Sequence, residues 1–390
     1  MRRRLLAAVT AFAIALVVFA YVGPPYARAA SFIVRAAGLD GPVETFANRQ
    51  ARPVVEQPRH QVSTRYGDVP ARLYVPEGTS QRTVLLVPGI HSMGIEEPRL
   101  TALADDLAGA GVKVMAMALP DLQAYRITPR ATDVIEDAVT WISARPDLAP
   151  DGRVGIVGIS FAGGLSISAA SRPAIRDKVA FVLSFGGHGD LERVMRYLMT
   201  GEAPHVAGLE THPPHDYGVA VVLYGLADRG VVPADQVVSL REGIETFLLA
   251  SQLTLVSTDK ANAMFAKARE MATKLPEPAR TYMNYVNDRA VGKLGPALVP
   301  YLHQLGADDP ALSPQRVEHP ASAPLFLLHG SGDTVIPAAE TALFSEDLRR
   351  KGADVHVLLS ELITHAEVNR AATYIDVWKL ISLWAQVFKS

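Results

Sequence analysis

Six stretches constrain this chain most: "RTVLLVPG", "VKVMAMALP", "RVGIVGIS", "VAFVLSFGG", "PLFLLHGSG" and "DVHVLLS" are continuous apolar runs, each closed by Gly, Pro or Ser. A strand with one wet face alternates polar and apolar residues, whereas a run apolar at every position must be buried on both faces, as in a parallel sheet. Helix-length stretches separate most of these runs, among them "EPRLTALADDLAGAG", "ATDVIEDAVTWISAR", "FAGGLSISAASRPAI" and a final "AATYIDVWKLISLWAQVFK". Strand alternating with helix predicts right-handed crossovers and an open sheet covered on both sides. Ahead of them, "QVSTRYG" and "ARLYVP" alternate as two half-buried antiparallel strands would.

One interval breaks the rhythm. From Leu191 to Pro320 no convincing strand occurs, while "QVVSLREGIETFLLASQL" and "NAMFAKAREMATKL" repeat apolar residues at helical spacing, and "GVAVVLYGLADR" reads as a helix beside them. A helical block inserted between two sheet strands would cap one end of the sheet, and open α/β sheets bind ligands at the carboxyl ends of their strands. The boundaries follow: an N-terminal targeting segment over 1–30, a linker over 31–58, core over 59–190, cap over 191–320 and core again over 321–390.

The opening "MRRRLLAAVTAFAIALVVFAYVGPPYARAA" carries Arg2, Arg3 and Arg4, then runs uncharged from Leu5 to Val22. That run is long for a cleaved signal, whose apolar part spans about 7 to 15 residues, and short beside the roughly 20 residues that cross a bilayer. Ala27-Arg28-Ala29 would serve as a cleavage site; otherwise the segment stays as an anchor in contact with the membrane. Both readings place the rest outside the cytoplasm, by the excess of arginine at the start. A net charge of −2 offers no basic face for nucleic acid. The absence of cysteine excludes disulfides, thiolate nucleophiles and cysteine metal sites together.

Ser160 ends the run "RVGIVGIS" at the point where a helix must begin. So sharp a reversal crowds the backbone two residues to either side, and Gly158 and Ala162 are small there, while Gly163 and Gly164 let the new helix approach the sheet. The hydroxyl is thereby held at the sheet edge and at a helix N-terminus, where negative charge is favoured. A serine in that place either caps the helix or attacks a substrate.

As a nucleophile it needs a base, oriented by an acid. Of the 11 histidines, His365 follows the last strand by a short loop and precedes the terminal helix; His329 closes its strand and reads as structural. Asp333 lies in the turn-rich "HGSGDTVIP" after that strand, with Asp190 in "GGHGD" as the competing acid. The chain order is then Ser160, Asp333, His365.

These elements resemble the α/β-hydrolase superfamily, and most closely its serine esterase and dienelactone-hydrolase-like branches. "GISFAGG", "HGSGDTVIP", His365 and "LLVPGIHSMG" carry the resemblance, over roughly residues 60–190 and 320–390. It implies an α/β-hydrolase fold: a mostly parallel eight-stranded sheet, helices on both faces and a helical cap insertion. It also implies an oxyanion hole from the backbone N–H groups of Ile90 and Phe161. Pro88-Gly89 stands where many members have His-Gly, so Gly89, Ile90 and His91 are all candidates for the first of those donors.

His91 and His188 are candidates to line a substrate pocket, or else polar loop residues. "HPPHDYG", with His212, His215 and Asp216, reads as a polar cap loop rather than a metal site. No nucleotide-binding glycine pattern follows any strand, and the hydrolytic mechanism requires no cofactor and no metal. The expected activity is hydrolysis of a small, partly apolar carboxylic ester through an acyl-enzyme. A catalytically inactive, membrane-anchored binding protein on the same fold is the alternative, and a cofactor-free haloperoxidase or lyase would use the same residues.

Overall fold

The computed structural model describes residues 23–80, 82–254, 256–363 and 374–390. The strands are β1 (Val54–Thr64), β2 (Gly67–Pro76), β3 (Thr83–Val87), β4 (Lys113–Met117), β5 (Val154–Ile159), β6 (Val179–Phe185), β7 (Leu325–Gly330) and β8 (Val355–Ser360). They form one eight-stranded sheet in the order β1-β2-β4-β3-β5-β6-β7-β8. β2 runs antiparallel to both β1 and β4, and every other pairing is parallel. The alternating strands take one edge and the continuous runs β3 to β7 lie inward as buried parallel strands require, while the continuous run β8 forms the opposite edge and is only half-buried. The register of β1 against β2 shifts between Gln57 and His60. Pro58 lies inside that shift, as expected of a residue that cannot donate to a ladder.

Successive residues of each inner strand serve opposite faces. Leu85 and Val87 of β3 join the core formed with the helices Pro129–Ser143, Phe161–Ala170 and Ala339–Arg350. Val84 and Leu86 join a second core with the helices Pro98–Gly109 and Tyr374–Val387. Residues 31–58, read from the sequence as a linker, carry the end of a helix over 23–36, the helix Pro42–Gln50 and the start of β1. Ala29, Phe32 and Ile33 lie on one face of the 23–36 helix and are buried in the second core, Phe32 with its ring centroid 4.4 Å from that of Trp384. Three apolar residues at helical spacing account for this order; the neighbouring prolines masked the pattern.

Between β6 and β7, the described residues form helices and loops only. The helices include Leu191–Thr200, Tyr217–Leu226, Val237–Leu253, Thr258–Thr273, Ala279–Asn287 and Val291–Leu298. This block meets the loops at the carboxyl ends of the strands. Ser92, after β3, donates to Gln252 Oε1 at 3.0 Å; Gln252 Nε2 donates to the Tyr125 hydroxyl, after β4, at 3.2 Å; and the His215 N–H donates to the Thr334 carbonyl, after β7, at 2.8 Å. Its entry and exit are stitched together, Leu191 N–H donating to Ser313 Oγ at 2.9 Å and Gln315 N–H to the Gly189 carbonyl at 2.9 Å.

No helix among the described residues is long and apolar enough to cross a membrane. The run from Leu5 to Val22 lies outside the described residues.

Candidate active site

Ser160 stands between β5 and the helix Phe161–Ala170 with φ 56° and ψ −132°, a conformation that L-residues rarely adopt. Its backbone is clamped from both directions: the Ser160 N–H donates to the Phe185 carbonyl at 2.7 Å, and its own carbonyl accepts from Gly163 N–H at 2.8 Å. A non-glycine residue held in so sparsely populated a region costs about 1–3 kcal/mol, and such strain concentrates at functional sites.

The small neighbours are needed for contact. A Cβ at Gly158 would fall 2.5 Å from the Ala162 carbonyl oxygen, and one at Gly164 would fall 2.6 Å from the His188 ring. The loop after β3 closes on the same turn, since a Cβ at Gly89 would lie 3.1 Å from Ser160 Cβ. Ile90 follows in that loop, half-buried, and Phe161 opens the helix. His91 Nδ1 accepts the Met93 N–H at 3.2 Å, and burial lowers the pKa of this ring below its ordinary value.

Strand order, a strained serine on the turn out of β5 and a helical block over the carboxyl ends of the strands decide the architecture. This is the α/β-hydrolase fold. No family model and no curated protein matches the chain. Among solved structures it is similar to an esterase of Pyrobaculum calidifontis (14% identity, TM-score 0.44), over 94% of this chain and 90% of that one. Vibralactone cyclase is similar at 13% identity and TM-score 0.44, over 87% of this chain and 80% of that one. An acylaminoacyl peptidase of Pyrococcus horikoshii is similar at 13% identity and TM-score 0.47, over 90% of this chain but 43% of the peptidase.

In the α/β-hydrolase sheet, β6 lies between the strands that carry Ser160 and Asp333: Ile159 pairs with Phe185, and Phe185 with Leu328. Asp333 follows β7 in a tight turn and is buried. Its Oδ1 accepts the N–H groups of Val335 at 2.8 Å and Ile336 at 3.0 Å, which holds the carboxylate plane, while Oδ2 lies 3.4 Å from His329 Nε2. A Cβ at Gly186, just past β6, would lie 3.5 Å from Oδ2, so the carboxylate faces the serine's side of the sheet edge.

His329 is wholly buried, with Nε2 2.8 Å from the Ile336 carbonyl and Nδ1 2.7 Å from the Thr341 hydroxyl. A carbonyl only accepts, so Nε2 carries the proton, and in the neutral ring Thr341 donates to Nδ1. The ring therefore braces the turn that carries Asp333. His365 lies outside the described residues.

Asp190 is placed elsewhere by its partners. It caps the helix Leu191–Thr200 by accepting the Arg193 N–H at 3.1 Å, and it faces Arg316 at 3.4 Å. His188 is also wholly buried; Nε2 donates to the Leu312 carbonyl at 2.7 Å and the ring packs against Phe161, centroids 5.4 Å apart. Burial pulls its pKa down, so the ring is a neutral wedge behind the Phe161–Ala170 helix rather than a wall open to a ligand. His215 and Asp216 pair at 3.1 Å and Asp216 also meets Arg289 at 3.2 Å. Among the described residues no group of three or more His, Asp or Glu is placed to hold a metal ion.

Two tyrosines escaped the sequence reading as neighbours of Asp333. Burial and the negative charge of Asp333 push Tyr197 up to about 12 and raise Tyr217 as well. Tyr197 donates to the His212 carbonyl at 3.0 Å. Both come from the inserted block, which therefore roofs the Asp333 turn. Tyr125, after β4, holds φ 55° and meets Tyr224 edge-on at 5.9 Å. No local sequence signal marks it.

Proposed function

We propose that the protein is a serine hydrolase that cleaves a carboxylic ester through an acyl-enzyme. The strained backbone of Ser160, at φ 56° beside the Gly89 loop, is the observation that carries this reading. In this scheme Ser160 Oγ attacks the ester carbonyl carbon while His365 takes the hydroxyl proton. Asp333, held by Val335 and Ile336, orients the imidazole and stabilises its charged form. The N–H groups of Ile90 and Phe161 receive the oxyanion. His365 then protonates the leaving alcohol, and a water activated by the same ring releases the acid.

The roof supports the substrate class. Tyr217 of the inserted block is half-buried, and Tyr224 packs edge-on over Tyr125, which lies after β4, so the block is apolar near the carboxyl ends of the strands, which suits a small ester with an apolar portion. The arginines and the uncharged run at the N-terminus support an exported protein, tethered at the outer face of a membrane or released by cleavage.

Fluorophosphonate labelling of the full chain, with peptide mapping, tests the reading. Label at Ser160 that vanishes in Ser160→Ala and in His365→Ala is expected. Folded protein that takes no label and turns over no short-chain ester would overturn it in favour of a binding protein on this fold.

A further inference from the structure

The amino-terminal end of the sheet, opposite Ser160, holds a cavity of about 610 Å³. Its inner wall is apolar: Leu107, Val157, Phe181 and Trp384 line it and are buried from solvent. Four cations, Arg28, Arg52, Arg82 and Lys389, line its solvent side, beside Asp151 and the last residue, Ser390. These four come from separate parts of the chain: the helix over 23–36, the segment before β1, the residue before β3 and the last turn after the C-terminal helix.

The charges are poorly compensated. Arg82 pairs with Asp151 at 2.8 Å, but its Nε is buried without a hydrogen-bond partner. Arg52 donates to the Thr79 carbonyl at 2.9 Å, and Lys389 lies 5.3 Å from the Tyr26 ring centroid. Among the described residues neither Arg28 nor Arg52 pairs with a carboxylate, and both line the same opening. Burial, with Arg52 adding to it, lowers the Arg28 pKa. Two like charges half-buried at one opening are unfavourable unless an anion bridges them. An apolar interior behind such a pair suits a ligand with a chain on its anionic head.

We infer that this cavity binds an anionic amphiphile, its alkyl or acyl chain against Phe181 and Trp384 and its phosphate or carboxylate between Arg28 and Arg52. The site is independent of the proposed chemistry at Ser160 and lies at the other end of the sheet. The rim is also near in sequence to the apolar run that ends at Val22, which favours a ligand of lipid chemistry.

Dodecyl phosphate is a suitable probe because it has no carboxylic ester for Ser160 to cleave. Full-chain protein carrying Trp141→Phe and Trp378→Phe reports through Trp384 alone. Dodecyl phosphate should change Trp384 fluorescence saturably, dodecyl phosphocholine should bind more weakly, and inorganic phosphate should leave the signal unchanged. Arg28→Gln with Arg52→Gln should weaken dodecyl phosphate at least about tenfold, as expected for lost charged hydrogen bonds, whereas Arg52→Lys should retain the preference. Equal binding of the two dodecyl compounds, or full affinity in a folded double glutamine variant, would overturn the inference. If that variant does not fold, the headgroup comparison and the Arg52→Lys protein decide it alone. Vesicles of phosphatidylglycerol in phosphatidylcholine separate the sources. A Trp384 response to them assigns the ligand to bilayer lipid, and a response to dodecyl phosphate alone assigns it to a free amphiphile.

Discussion

Gly158 and Ala162 face each other across the turn that carries Ser160, so closely that a Cβ on residue 158 would lie 2.5 Å from the Ala162 carbonyl oxygen and 2.7 Å from Ser166 Oγ. The obstacle at Ala162 is backbone and cannot rotate away. Gly158→Ala must therefore open the turn, at a cost of about 1–3 kcal/mol by the measure of overpacked cores. Denaturant unfolding reads the loss, and fluorophosphonate labelling of Ser160 should fall with it. Unchanged stability and labelling would show that the turn has slack.

Ser160 itself stores strain. Glycine adopts φ 56°, ψ −132° without a Cβ clash, so Ser160→Gly should be more stable than Ser160→Ala by about 1 kcal/mol, although both lack the hydroxyl. Paired melting curves decide this. A glycine variant less stable than the alanine variant would mean the backbone is not strained.

The two candidate acids separate by mutation. Asp333→Asn should lower ester turnover by about 10³- to 10⁴-fold, since the imidazole would lose its orienting charge. Asp190→Asn should leave turnover near its starting value and cost up to about 1 kcal/mol of stability, because Asp190 caps a helix. The reverse pattern in kcat would exchange their roles.

His188 makes the fold sensitive to acid. Its pKa is held below its ordinary value, by burial first, against the opposing pull of the Leu312 carbonyl, Glu340 and Asp190. The unfolded chain, with His near 6.5, therefore binds the proton more readily. Stability from this group is complete above about pH 6.5 and is lost as pH falls toward the folded value. His188→Gln keeps an N–H for Leu312 but cannot titrate. The melting temperature of the wild type should drop more steeply below pH 6.5 than that of the variant; parallel curves would remove His188 as the cause. His91, shifted in the same direction, contributes part of the slope common to both.

Glu340 ties the entry of the helical block to the Asp333 side of the sheet. Wholly buried, it accepts the N–H groups of Gly189 at 3.1 Å and Asp190 at 3.0 Å and pairs with Arg193 through both carboxylate oxygens. Glu340→Gln should cost about 3 kcal/mol, because the Arg193 charge is left without its buried partner. Glu340→Gln combined with Arg193→Met should cost less than the sum of the two single changes in a denaturant cycle.

Most of the sheet was legible along the chain. Each continuous run became a strand with a parallel neighbour, for β3 to β7 because burial on both faces leaves its mark at every position; "DVHVLLS" reads the same way but forms the half-buried edge strand β8, and the break after "VLSFGG" marked the helical block. The elbow was legible for a related reason: Gly158, Ala162, Gly163 and Gly164 are local requirements of a local reversal. The segment over 31–58 was not. Its prolines suggested a linker, while the helix over 23–36 owes its order to Trp384 and the second core, far along the chain.

By itself, then, the sequence determined strand type, the position of the insertion and the placing of Ser160 on a strand-to-helix turn, all set by neighbours within a few residues. Tertiary structure decided what each charged or polar side chain does. Asp190 and Asp333 both follow apolar strands in glycine-rich loops and both accept backbone N–H groups within three residues, but the fold sets the first against Arg316 and the second beside Gly186, on the Ser160 side of the sheet. His188 became a buried wedge, and Arg28 and Arg52 came together at a cavity mouth, for the same physical reason: partners distant in sequence fix both burial and field.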